Sequence, residues 1–116
     1  MIITDEYMSE MQAKARTYSF VLLRRGARYS GPDAAAIIWE HGRRNHSLRA
    51  DGVLAVVCPA ADDTELAGFG VFDASLEETA RIMAGDPAVQ AGVLSYELHP
   101  VRGFPGDRLP GAVSGQ

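Results

Sequence analysis

The residue of this sequence best suited to acid–base chemistry is a histidine in the middle of a predicted helix. From Ala34 the sequence follows the i, i+3, i+4, i+7 spacing of a buried helical stripe, and two positions of that stripe, His41 and Asn45, are polar. A titratable ring on a buried face must find a partner or lose its charge. His41 is therefore either a core histidine bonded to a backbone carbonyl or a general acid or base in a half-buried pocket, since histidine titrates near neutral pH. Asn45, one turn further on, is a candidate substrate-binding residue.

Two further places along the chain carry candidate substrate-binding residues. Glu97 and His99 alternate with apolar residues on the last predicted strand, so they share one face of the sheet. We expect that face to look into a cavity between two subunits. Gly68 and Gly70 share one face of an earlier strand and leave an empty patch there. Such a patch is typical of close packing, but it also makes room for a ligand.

The spacing of the histidines argues against a metal site. His46 lies five residues after His41, about 140° round the helix, and is expected to face solvent. A zinc helix instead needs histidines at i and i+4. Gly68-Phe-Gly70 lacks the third glycine and the following helix of a dinucleotide loop. We therefore predict neither a metal nor an organic cofactor. Three arginines of the same helix are interpreted as a solvated face: Arg43, Arg44 and Arg49.

Composition argues against several classes of function. The chain has 116 residues and a net charge of −4, whereas a nucleic-acid-binding protein needs a basic face. No apolar run approaches the ~20 residues that span a bilayer, and the first residues lack the positive charges of a signal peptide. The single cysteine, Cys58, cannot form an internal disulfide, which is typical of a reducing compartment. We therefore expect a cytoplasmic protein that binds neither nucleic acid nor membrane.

The elements that position these residues follow the order β-α-β-β-α-β. Segments rich in β-branched and aromatic residues predict strands at residues 17–24, 53–58, 66–73 and 93–99. One helix is predicted from Pro32 and Asp33 to about residue 50, with Gly52 just past its end. A second begins at Ser75, which opens a capping box, and ends before Asp86-Pro87; residues 88–92 then form a turn.

This order predicts an α+β fold in which two helices cover one face of a four-stranded antiparallel sheet. The domain spans residues 17–100. Residues 1–16 are predicted as a weakly ordered extension with at most a turn of helix, and residues 101–116 as a Pro/Gly-rich arm. We expect Val21 and Leu23 on the uncovered face of the sheet. A partly apolar face of this kind needs a partner, so the chain is predicted to form a homodimer.

Three segments of the sequence resemble the YCII-related family. In the first, His41 is followed by Gly52 and an apolar strand. In the second, residues 86–93 read Asp-Pro-Ala-Val-Gln-Ala-Gly-Val, similar to the family's Asp-Pro-x-x-x-Ala-Gly-Val. In the third, residues 68–72 and the following Ser75-Leu-Glu are similar to the family's third strand and second helix. The resemblance covers residues 17–100.

The resemblance implies a ferredoxin-like fold that dimerises into an α/β barrel. It also implies a pocket in which His41 and Asp86 are the acid–base pair, and elimination-type chemistry on small cyclic organic molecules. The predicted function is thus a cofactor-independent lyase or isomerase. The alternative is a non-catalytic small-molecule-binding or accessory module of the same fold. Asp86 has an alternative role too, since an Asp before Pro commonly caps the turn that follows.

Overall fold

The structure, a computed structural model, describes residues 1–111, so the last five residues of the predicted C-terminal arm lie outside the described part of the chain. Four helices are described: α1 Asp5–Lys14, α2 Ala34–Ala50, α3 Leu76–Ala84 and α4 Pro87–Gln90. Four strands are described: β1 Arg16–Arg25, β2 Leu54–Pro59, β3 Leu66–Phe72 and β4 Leu94–Gly103.

The strands form one antiparallel sheet in the order β2-β3-β1-β4, which is the ferredoxin-like arrangement. Side chains from one face of this sheet form a single core with residues of α2, α3 and α4, among them Ala34, Met83 and Ala88. The predicted α+β fold, with helices over one sheet face, is confirmed.

The two faces of β1 are the reverse of our expectation. Val21 and Leu23 are buried in the core beneath the helices, and Phe20 and Leu22 lie on the face that no helix covers. Because side chains alternate along a strand, an error of one residue exchanges the two faces. Because β1 is apolar on both faces, its sequence pattern did not show which face the helices cover. The uncovered face is nonetheless apolar, and the Phe20 and Phe69 rings lie 5.5 Å apart on it.

The N-terminal extension is more ordered than predicted. Residues 5–14 form the complete helix α1, whose first turn is capped by the Thr4 side chain accepting a hydrogen bond from the Tyr7 backbone N–H at 3.1 Å. Asp5 and Glu6 also favour the start of a helix, since negative charge is stabilised there. No residue of α1 is buried, so the helix extends from the domain without joining its core.

The last strand also continues further than predicted. β4 runs to Gly103, where a loop was expected from residue 100 onward. Pro100 is accommodated in the ladder opposite Ser19 because β4 is an edge strand, and an edge strand tolerates a residue without an N–H.

The boundaries around the site follow the predicted local signals. α2 ends at Ala50 with Asp51 as its C-cap, and Gly52 takes the left-handed conformation with φ 78°. The Ser75 side chain accepts from the Glu78 backbone N–H at 3.0 Å and opens α3. Pro87 occupies the first turn of α4, so the turn predicted at residues 88–92 begins as a short helix. α4 packs against α2 and thereby brings residue 86 beside the middle of the long helix.

Candidate active site

A buried histidine–carboxylate hydrogen bond joins α2 to the start of α4. The Nδ1 atom of His41 lies 2.7 Å from Oδ2 of Asp86. His41 is 9% exposed and Asp86 is 1% exposed, so water has little access to the contact. A hydrogen bond this short between an imidazole and a carboxylate is of the charge-assisted kind. The partner of His41 is therefore a carboxylate, and not the backbone carbonyl that was considered for a core histidine.

The second oxygen of Asp86 has a different partner. Oδ1 accepts a hydrogen bond from the backbone N–H of Ala88 at 2.8 Å, which makes Asp86 the N-cap of α4. Asp86 thus both contacts His41 and caps α4, with one contact through each oxygen. Capping fixes the carboxylate in the orientation that meets the ring.

Asp86 is held in its ionised form. Burial raises the pKa of this carboxyl, but the hydrogen bond and the electrostatic attraction from His41, together with backbone N–H groups of Ala88 and Val89, outweigh the burial. The net effect is a pKa below the ordinary value of 3.8. A carboxylate that stays charged can keep the Nδ1 proton of His41 in place and stabilise an imidazolium when one forms.

Arg44, which was predicted to be solvated, instead contributes to this pair. Its side chain is 31% exposed, and its NH1 atom lies 3.8 Å from Oδ2 of Asp86. NH1 is buried and has no hydrogen-bond partner among residues 1–111, so its interaction with the carboxylate is one of charge rather than of a hydrogen bond. Arg44 follows His41 by three residues on α2, which places both on the side of the helix that meets α4.

The other ring nitrogen of His41 is in contact with Asn45. The Nδ2 atom of Asn45 lies 3.2 Å from Nε2 of His41. With the Nδ1 proton donated to Asp86, Nε2 of the neutral ring carries a lone pair and accepts from the Asn45 amide. The predicted stripe through positions 41 and 45 therefore places both side chains together, and with Asp86 they form a chain of contacts from carboxylate to ring to amide.

His41 and Asn45 line a cavity of about 440 Å³ between α2 and the β2–β3 end of the sheet. This is the size of pocket that takes a small organic molecule. The lining is mostly apolar and includes Leu23, Tyr29, Ile38, Val57 and Leu94. The imidazole of His41, which is hydrogen-bonded to a carboxylate, therefore borders a cavity that can hold a small molecule.

The model of the YCII-related domain matches residues 18–102, a span that contains His41, Asp86, all of β2 and β3, and all but the outer ends of β1 and β4. The chain belongs to the YCII-related family. The resemblance noted from the three sequence segments is therefore confirmed. No curated protein matches this YCII-related chain.

Gly68 and Gly70 of the YCII-related domain occupy different surroundings. Gly68 lines the large cavity, but a Cβ atom there would lie 2.6 Å from the carbonyl oxygen of Cys58, and its φ is 153°. Gly70 lines a much smaller space beside the core, close to Leu54 and Phe72. Close packing between β2 and β3 explains why a glycine is needed at position 68.

Glu97 and His99 are not brought together with His41. They lie on the uncovered face of the sheet, His99 opposite Phe20 and Glu97 opposite Leu22. The Nε2 atom of His99 lies 3.8 Å from Oε2 of Glu97, and Glu97 also lies 3.6 Å from Arg24. These side chains would face a subunit docked on that face, whereas the cavity of His41 lies on the helical side.

Arg49 and His46 are exposed, as expected, and they also line the cavity at its rim. The available signal was the spacing of positions 41, 45 and 49, which repeats every four residues and places three polar side chains along one side of α2. Arg43, one of the three arginines assigned to the solvated face, does pair at the surface, with Glu40 at 3.2 Å.

Within residues 1–111, no group of three or more histidine, cysteine or acidic side chains is arranged to hold a metal ion. None of the helices in this part of the chain is both long and apolar enough to cross a membrane.

Proposed function

We propose that this protein is a cofactor-independent lyase or isomerase that moves a proton on a small cyclic organic substrate through His41 and Asp86. One observation carries the proposal: a buried imidazole, bonded to a carboxylate at 2.7 Å through one nitrogen, lines a cavity of about 440 Å³. A ring fixed in this way keeps its proton on Nδ1 and directs the lone pair of its second nitrogen, Nε2, to accept a proton.

In the reaction, Nε2 of His41 takes a proton from a carbon of the substrate. Asp86 keeps the opposite proton on Nδ1 and stabilises the imidazolium that results. The imidazolium then returns its proton, either to another carbon of the same molecule, which is an isomerisation, or to a departing group, which is an elimination. Both outcomes balance without an oxidant, a reductant or a metal.

Asn45 takes part in the same step. Its amide N–H donates to the Nε2 lone pair at 3.2 Å. Proton transfer requires the amide to turn away, and rotation of the amide brings its carbonyl oxygen to accept from Nε2–H of the imidazolium. Asn45 is thus proposed to bind substrate while holding the ring in its charged form.

The contact with Asn45 also favours a second candidate function. Both ring nitrogens of His41 have protein partners, which is what a structural histidine requires. The alternative is a binding or accessory module in which the same cavity holds a small molecule without altering it. The two functions differ in whether His41 changes the chemistry of a bound molecule or only its affinity.

The test is exchange of carbon-bound hydrogen in deuterium oxide, followed by proton NMR, with a panel of small lactones and cyclic enones and their carboxylated derivatives. We expect exchange catalysed by the untagged protein to fall ~10²–10⁴-fold in His41→Gln and in Asp86→Asn. Asp73→Asn, which alters an exposed carboxylate paired with Arg16, is the matched control and should exchange at the wild-type rate. Exchange that His41→Gln leaves unchanged would contradict the proposal, and unaltered molecules bound in the cavity would support the accessory module.

The protein is further proposed to act as a homodimer in the cytoplasm. The apolar, uncovered face of the sheet supports dimerisation, because large exposed apolar patches are uncommon on monomers. The unpaired Cys58 is compatible with a reducing compartment. Pairing of two sheets would form the α/β barrel implied by the family resemblance.

A further inference from the structure

The rim of the cavity carries a positive charge that no carboxylate neutralises. Arg49 lines the cavity from the last turns of α2, and within residues 1–111 it makes no salt bridge. Its NH1 atom instead lies 3.0 Å from Nδ1 of His46. Since a guanidinium can only donate, His46 accepts on Nδ1 and keeps its proton on Nε2. The remaining Arg49 donors and the His46 Nε2–H are left for a ligand.

The charge of the cavity differs from that of the whole chain. The protein has 15 acidic residues and a net charge of −4, yet none of the described residues lining the cavity is Asp or Glu. Arg49 is the one lining residue that is charged at every physiological pH. A positively charged rim above an apolar lining favours a ligand with an apolar body and one negative group.

The helix sets the distance between this rim and the reacting nitrogen. Positions 41, 45 and 49 lie on one side of α2, and eight residues of helix rise about 12 Å. The Arg49 side chain lines the cavity and contacts His46, which lies three residues closer to His41 along α2. A single small molecule can therefore contact Nε2 of His41 with one carbon and the guanidinium with a group on its opposite end.

We propose that Arg49 and His46 form an anion-binding subsite, and that the substrate of this protein is a small cyclic carboxylate. The proposal rests on the function proposed above for His41 and Asp86. A carboxylate fits better than a phosphate because one guanidinium neutralises a single negative charge and binds it through two parallel hydrogen bonds. Binding the carboxylate at the rim orients the ring of the substrate so that a defined carbon faces His41.

The experiment compares two probes of the same shape, cyclohexanecarboxylate and cyclohexanecarboxamide, titrated into the full untagged chain and followed by two-dimensional amide NMR. We expect the carboxylate to shift resonances of cavity residues and to bind ~10-fold or more tightly than the amide. Arg49→Gln should weaken carboxylate binding by a similar ~10-fold factor and abolish the preference for the charged probe. Arg43→Gln, an exposed arginine of the same helix that pairs with Glu40, is the matched control and should bind both probes as the wild type does.

Three results would overturn the anion subsite: equal affinity for the two probes, unchanged carboxylate binding in Arg49→Gln, or no carboxylate binding at millimolar concentration. Asp86→Asn separates this proposal from the catalytic one, because the subsite does not need proton transfer. Charge-selective binding in Asp86→Asn without any catalysed exchange in the wild type would contradict the catalytic function and leave the subsite intact. Catalysed exchange that depends on His41 but is equally fast for charged and uncharged substrates would support the catalytic function and contradict the anion subsite.

Discussion

Asp86 links the ring of His41 to the backbone of α4, because one of its oxygens accepts from His41 Nδ1 at 2.7 Å and the other from the Ala88 N–H at 2.8 Å. The carboxylate therefore has a structural role in capping α4 and also lies where the proposed mechanism needs it, against the ring of His41. Its orientation is set by the helix that it caps, and this orientation places it beside the ring. The mechanism proposed for His41 depends on that rigidity.

Replacing the carboxylate should destabilise the fold as well as stop catalysis. In Asp86→Ala, the Ala88 N–H and the His41 Nδ1–H lose their partners inside the protein, and each buried unsatisfied donor costs ~1–3 kcal/mol. We expect the free energy of unfolding in urea to fall by at least ~2 kcal/mol. Asp73→Ala removes an exposed carboxylate and should change it by less than ~0.5 kcal/mol. An equal decrease in the free energy of unfolding in the two variants would mean that the hydrogen bonds of Asp86 do not stabilise the fold.

The same carboxylate should make the protein sensitive to acid. Because the folded pKa of Asp86 lies below its ordinary value of 3.8, its charge stabilises the fold above that pH. The stabilisation is lost as the pH falls through the folded pKa, where the native carboxylate finally takes up its proton.

Asp86→Asn cannot titrate and supplies the comparison. Unfolding curves recorded from about pH 5 to about pH 2.5 keep the measurement in the range where carboxyl groups titrate. We expect the stability difference between wild type and Asp86→Asn to be constant at the upper end of this range and to shrink at the lower end. A difference that stays constant throughout would show that the pKa of Asp86 is not depressed.

Much of this fold could be predicted from local signals. The order of strands and helices followed from β-branched runs, from Ser75 as a cap and from Gly52 as a helix terminator, and these signals depend only on neighbouring residues. His41 was identified as a candidate because a polar ring on an apolar stripe stands out against the helical period.

The errors arise where the outcome depends on distant residues. Val21 and Leu23 were assigned to the wrong face because β1 is apolar on both sides, and only the position of the helices decides which side is covered. Arg44 was interpreted as solvated, since nothing nearby in the sequence shows that it meets Asp86. Arg49 is exposed as expected, but the sequence did not show that it also lines a cavity. The helix α1 was missed although Thr4, Asp5 and Glu6 form a local start signal.

Two glycines that line the cavity should respond in opposite ways to the same substitution. In Gly68→Ala the new Cβ would lie 2.6 Å from the Cys58 carbonyl oxygen, at a φ of 153° that side chains rarely adopt, so we expect a loss of ~1–3 kcal/mol. In Gly42→Ala no atom lies within 4 Å of the new methyl group and the position is helical, so we expect a gain of ~0.5–1 kcal/mol. Urea unfolding measures both. A tolerated Gly68→Ala would mean that β2 and β3 are not closely packed at the cavity.

The uncovered face of the sheet should be the dimer interface. Leu22 lies on that face beside the Phe20–Phe69 ring contact, and a charge at its centre would be buried without a partner on association. Light scattering at micromolar concentration should give about twice the chain mass of 12.5 kDa for the wild type and the mass of one chain for Leu22→Arg. Trp39, which is 70% exposed on α2 and therefore on the helical side, provides the control, and Trp39→Ser should remain dimeric. If Trp39→Ser dissociates while Leu22→Arg does not, the subunits associate through their helices and the sheets do not form a barrel.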